Sequence, residues 1–230
     1  ECPVCYQGFK AKTVRSGKLR SLGTDRDLRP LYDQMEPLKY DVVICPHCGY
    51  AALTRFFGGL TAGQIKAIKE NISANFHPVK EEKEIYTYEE ALYRYKLCLA
   101  NTIVKHGKVS EKAYICLKAG WLLRSMGENL DPAVEDYNKK IQEIKEQEKD
   151  FLKNALDGLI TARQTESYPI CGMDEVTLEY LIAVLAMEFE KYDISSRLIY
   201  NILNTPTVNN RIKDKAREVK DELLQQMGKK

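Results

Sequence analysis

The sequence predicts a mainly α-helical protein, with a small N-terminal β module followed by an array of antiparallel helix pairs. Three observations lead there. Two C-P-x-C pairs, Cys2/Cys5 and Cys45/Cys48, lie within the first 48 residues. Between them run short β-prone pieces broken by Gly17, Gly23, Pro30 and Pro37. After Gly58 and Gly59 the apolar residues recur at three- and four-residue steps. The expected division is a zinc-ribbon-like module over residues 1–57 and a tetratricopeptide-like helical domain over 58–230.

Taken in order, "KAKTVRSGKLRSL" and "YDVVIC" predict strands in the module. Thr61 and Gln64 have the spacing of a capping box and start the first helix. A second helix is expected from about Glu82 to His106, with Ala91, Leu92, Tyr95, Leu99 and Ile103 on one face and Gly107 as its stop. Ser110 is expected to cap a third helix that Gly127 ends, and Asp131-Pro132 to begin a fourth that reaches Arg163. The charged middle of that fourth helix reads as a solvated face. Asp174 caps the most apolar helix, a helix around "ISSRLIYNIL" follows, and the last runs from Arg211 to Met227. Ala183 and Ser195 are small where one pair of helices must approach, and Gly120 plays that part beside Trp121, opposite the segment Phe151 to Ile160.

Lys+Arg 35 against Asp+Glu 33 leaves no strong field directed at nucleic acid or an anionic membrane. No apolar run reaches the roughly 18 residues of a membrane span. A soluble cytoplasmic protein is therefore expected, and because the chain begins at Glu1 rather than Met, native residues are expected before it. Seven cysteines, four of them in C-P-x-C pairs, suit metal binding in a reducing compartment better than a disulfide framework.

A C-x-x-C turn delivers two thiolates from one knuckle, and two knuckles complete the tetrahedron that zinc prefers. Cys2, Cys5, Cys45 and Cys48 are the expected ligands of one structural zinc. Gly49 permits the left-handed backbone such a turn often needs, whereas Tyr6 stands at the matching place in the first knuckle. The 39 residues between Cys5 and Cys45 exceed the usual ribbon spacing, but closure entropy grows only logarithmically with loop length. Four thiolates leave no open position for a substrate water, so a catalytic metal is not expected. His47 is read as an exposed residue, and Cys98, Cys116 and Cys171 as buried apolar groups, Cys171 being the one that its loop position could expose. No phosphate-cradling loop, nucleophile elbow or metalloprotease helix occurs, and no catalytic residue is assigned.

The succession "ECPVCYQGF", "RDLRPLY", "PLKYDVVICPHCGYAA" and repeat-like helices resembles the bacterial domain-of-unknown-function family numbered 2225. The resemblance implies a cytoplasmic bacterial protein with the four cysteines as ligands, and it carries no activity. The functional expectation is a protein-interaction or scaffold module that offers a helical groove to a protein or peptide. One alternative is nucleic-acid binding through Lys10, Lys12, Arg15, Lys18 and Arg20, although the first fifty residues carry eight basic against six acidic groups. A thiol-based redox or metal sensor is the other alternative.

Overall fold

The computed structural model describes residues 1–15, 17, 19–33, 35–78 and 85–228. Two antiparallel sheets of two strands each open the chain: β1 (Ser21–Thr24) with β2 (Pro30–Tyr32), and β3 (Val42–Ile44) with β4 (Ala51–Leu53). Seven described helices follow: α1 (Ala62–Asn71), α2 (Tyr88–Val104), α3 (Val109–Glu128), α4 (Tyr137–Thr165), α5 (Glu175–Glu188), α6 (Tyr192–Asn204) and α7 (Asn210–Met227). From α2 onward each packs on the next in sequence, so the expected fold class is what the structure has. Helix lengths are uneven, from 10 residues in α1 to 29 in α4.

Several elements start where local chemistry asks. The Thr61/Gln64 capping box forms as expected. A second box, Thr87 with Glu90, starts α2 at Tyr88. The expected start at Glu82 lies outside the described residues. "KAKTVRSGKLRSL" forms no strand before Ser21 among the described residues, and β1 is confined to Ser21–Thr24. At the end of α2 it is His106, not Gly107, that takes the left-handed conformation (φ 51°), while the Gly107 N–H bonds back to the Thr102 carbonyl at 2.9 Å.

Ser110 lies inside the first turn of α3 instead of capping it. Its N–H and hydroxyl both donate to Glu166, at 2.9 and 2.6 Å, so a carboxylate from the end of α4 supplies the cap. Asp131-Pro132 makes a turn, with Asp131 accepting from the Ala133 N–H at 2.9 Å, and α4 begins only at Tyr137. Gly127 stays within α3, where a side chain would crowd Ile141.

Packing follows the small residues. Ser195 Oγ donates to the Ala183 carbonyl at 2.8 Å, tying α6 to α5 with both residues fully buried. Gly120 lets α3 approach α4, since a Cβ there would fall 2.6 Å from Leu152 Cδ2. Gly120→Ala is therefore expected to destabilise the chain by about 1–3 kcal/mol, the usual cost of overpacking, despite alanine's better helix propensity. A lowered urea midpoint with an unchanged slope would be the observation.

Asp174 accepts from the Thr177 N–H at 2.8 Å as the cap of α5. The hydrogen bonds from Thr177 hold its carboxyl below the ordinary value of 3.8. Asp174→Ala is expected to cost about 1 kcal/mol at neutral pH. A depressed folded-state pKa contributes stability above the unfolded value, so the gap between wild type and variant should close as pH falls through the folded value. Urea titrations at pH 7 and near pH 3 measure both halves.

The two sheets attach to the helices differently. β3 and β4 lie on α2, where Arg94 Nη2 donates to the Val42 carbonyl at 3.0 Å and the Tyr95 hydroxyl to the Leu38 carbonyl at 3.0 Å. The β1–β2 hairpin reaches further, and its tip crosses alternate helices of the array. Asp27 and Arg29, each only 3% exposed, are buried there. Asp27 accepts from Trp121 Nε1 at 2.9 Å and pairs with Arg124 at 2.9 Å on α3. Arg29 donates to Ser125 at 3.0 Å and to both Glu128 oxygens at 2.9 and 2.8 Å. Arg26 pairs with Glu222 on α7, and its carbonyl accepts from the Tyr180 hydroxyl on α5 at 3.1 Å.

Candidate metal centre

The second knuckle is the hairpin loop of β3 and β4. Pairing of Ile44 with Ala51 holds its ends together, and the Cys45 N–H bonds to the Tyr50 carbonyl at 2.8 Å. Six residues remain to turn the chain. Gly49 takes φ 71°, and its N–H donates to the Cys45 carbonyl at 3.0 Å. A side chain there would collide with the Phe76 ring. Glycine is thus required twice, by conformation and by space.

The first knuckle repeats the turn with a different residue. Tyr6 takes φ 60° and donates its N–H to the Cys2 carbonyl at 2.9 Å. Its side chain is 62% exposed, whereas a side chain at position 49 would run into Phe76, which is why tyrosine is tolerated at one place and not at the other. Non-glycine residues in the left-handed region are uncommon, and the shared hydrogen bond is what holds Tyr6 there.

The two turns bring Cys2, Cys5, Cys45 and Cys48 together with all four Sγ atoms within 4.8 Å of one another. Cys2 and Cys48 lie at 3.6 Å, as do Cys5 and Cys45, so each close pair joins the two knuckles. Backbone N–H groups point at the sulfurs: Val4 at Cys2, at 3.4 Å, Gln7 at Cys5, His47 and Cys48 at Cys45, and Tyr50 at Cys48. Such donors favour the thiolate form, and a cation bound among the sulfurs would complete the compensation. Burial pushes the Cys45 thiol up to about 11, against the His47 and Cys48 N–H groups, and pushes Cys48 up as well. Burial opposes ionisation at Cys5 too, but there the Gln7 N–H and the neighbouring sulfurs prevail and the value falls.

A small core surrounds the sulfurs, made of Val4, Tyr50, Ala52 and Ile68 of α1. The Tyr50 ring packs against Phe57 at 5.0 Å, tilted by 44°, and its hydroxyl donates to the Phe57 carbonyl at 3.2 Å. Four soft donors, converging, mostly buried and supported by N–H groups, fit a tetrahedral metal ion.

The other cysteines stand apart. Cys98 and Cys116 are buried, and burial raises them to about 12 and about 11. Cys171 is half-buried, takes φ 49°, and donates Sγ–H to the Ser110 carbonyl at 3.3 Å. Burial raises it to about 11, so it is a thiol at neutral pH and a poor nucleophile. His47 is exposed, as read from the sequence. The Asp27–Arg29 tip is what sequence reasoning missed. Its signal was a charged "DRDLR" between Gly23 and Pro30, the residues of a hairpin turn.

A four-cysteine, two-knuckle module joined to an array of sequentially packed helices defines a class of helical protein with a thiol-rich segment that could hold a metal ion. The chain belongs to the family described as an uncharacterized protein conserved in bacteria (DUF2225), whose model matches residues 1–223. Neither a curated protein nor a solved structure matches it. No described helix is long and apolar enough to cross a membrane.

Proposed function

We propose that this chain is a protein-interaction or scaffold module, not an enzyme, whose N-terminal segment is held by one structural zinc ion in a reducing, cytoplasmic compartment. Zinc is the metal that best suits four thiolates in a closed set, and that set leaves no position for a substrate. The interaction reading is carried by one observation. The faces of α3, α5 and α7 on one side of the array already accept a polypeptide turn through Trp121, Arg124, Glu128, Tyr180 and Glu222. Helical arrays use such faces to hold extended or looped segments.

Elemental analysis of protein purified without added metal should return one zinc per chain; another metal, or none, would overturn that half. For the other half, the immobilised chain would be exposed to bacterial extract beside a Glu128→Lys, Glu222→Lys variant. Capture of a protein that the variant loses is the expected result. A surface that retains nothing from the extract would overturn the interaction reading.

One observation favours a second reading. No acidic residue occurs from Cys2 to Thr24, and Lys10, Arg15 and Arg20 are exposed there. Lys12 lies over the Tyr86 ring at 4.5 Å, and Lys18 lies outside the described residues. Such a strip can follow a phosphate backbone. Titration with single-stranded RNA at 50 and 200 mM salt decides it, because phosphate contacts must weaken steeply with salt.

A further inference from the structure

The hairpin tip does not lie on the helices as a generic loop would. Asp25 to Arg29 form a closed turn, with the Asp25 N–H donating to the Arg29 carbonyl at 2.8 Å and the Leu28 N–H to the Asp25 carbonyl at 3.1 Å. Leu28 is left-handed at φ 68°, and this reverses the chain between Asp27 and Arg29. The aspartate is met by an indole N–H and a guanidinium, the arginine by a bidentate carboxylate and a hydroxyl. Buried tryptophan and arginine facing charges of opposite sign are the usual energetic centre of a protein–protein interface.

Open space also flanks the turn on two sides. A cavity of about 310 Å³ extends between Arg124, Val184, Met187 and Gln226, toward the C-terminal ends of α5 and α7. Another of about 260 Å³ lies beside Thr177, Tyr180, Asn209 and Ile212, toward their N-terminal ends. A segment serving only to brace the module would not need open space on both sides of it.

We propose that this face of α3, α5 and α7 is a docking surface for a turn of another polypeptide that presents an aspartate and an arginine two residues apart, and that Asp25–Arg29 occupies it as an intramolecular ligand. This rests on the interaction reading above and names the partner's chemistry. A tethered segment acts at an effective concentration in roughly the millimolar range, so a partner must make use of the flanking cavities or meet the protein with its hairpin withdrawn.

The experiment uses the full chain with Asp25–Arg29 replaced by a Gly-Ser segment of equal length, and a labelled cyclic peptide of residues 21–32 as probe. Saturable one-to-one binding is expected. Binding should weaken at least about tenfold with the Asp27→Ala peptide, and at least about tenfold with the wild-type chain, whose own hairpin competes. No binding to a replaced chain that retains its helical circular dichroism overturns the proposal. If the replaced chain does not fold, amide exchange at Asp25 and Leu28 in the wild type is followed with excess peptide. Faster exchange supports competition for the surface, and unchanged exchange overturns it. A partner captured from extract by both the wild-type chain and the Glu128→Lys, Glu222→Lys variant would overturn this inference alone; a chain that captures nothing overturns the wider reading.

Discussion

Cys45→Ser is expected to abolish stoichiometric metal binding and to unfold the strands and knuckles around the thiols while α3 to α7 stay helical. Cys45 is fully buried, and its sulfur belongs to the four-atom cluster. Serine offers a harder, weakly acidic oxygen on a shorter bond, so the variant keeps three donors in place of four. Structural zinc in small domains contributes about 10–16 kcal/mol of apparent binding free energy. The core beneath the sulfurs is only a handful of side chains, too few to substitute for that. The loss should spread to α2, because the Gly49 carbonyl accepts from Asn101 at 3.1 Å and the Val42 carbonyl from Arg94. Amide exchange over residues 42–53 should rise to the unprotected limit, with weaker loss of protection in α2 and little in α4. A chelator acting on the wild type should produce the same pattern. Because cysteine holds a metal as the thiolate but is a thiol at neutral pH at its ordinary value, each metal ion bound must expel protons, so apparent affinity should fall as pH is lowered. A Cys45→Ser chain that kept strand protection without metal would show that packing alone holds the module.

The convergence of the four cysteines is legible in the sequence because its signal is local. C-P-x-C fixes two sulfurs within four residues, and Gly49 announces the left-handed turn. The same holds for Thr61, Asp174, Gly120 and the Ala183/Ser195 pair, where one cap or one close approach needs one kind of residue. Thr87-x-x-Glu90 is equally local, and the start of α2 follows from it. What periodicity could not reveal is the burial of Asp27 and Arg29. Charged residues near glycine and proline read as solvent-facing turn, and the partners that overturn this, Trp121 and Glu128, lie some ninety to a hundred residues away. Ser110 departs from its expected cap position for a related reason. A serine before a helical run fits a cap, and only the fold brings Glu166 to its N–H.

Asp27→Ala is expected to cost about 3–5 kcal/mol, the range for removing one partner of a buried charge pair. The variant leaves Arg124 and the Trp121 N–H without the carboxylate they share. Arg124 retains Glu148 on α4 at 2.7 Å, and Asp25 at 3.6 Å can shift toward it, which places the expectation toward the lower end of that range. Asp27→Asn should fall between wild type and alanine, since an amide oxygen still accepts from the indole but no charge faces the guanidinium. Trp121 is the single tryptophan of the chain, so its emission reports this site directly and urea midpoints give the free energies. The double variant Asp27→Leu, Arg124→Met separates two causes. If the loss in Asp27→Ala is chiefly a stranded buried cation, removing both charges should recover most of the stability. If the double variant stays as weak as the single, geometry rather than charge holds the turn. That distinction bears on recognition: a surface that selects by charge would accept any turn with aspartate and arginine correctly spaced, whereas one that selects by shape would accept only a close copy of its own hairpin.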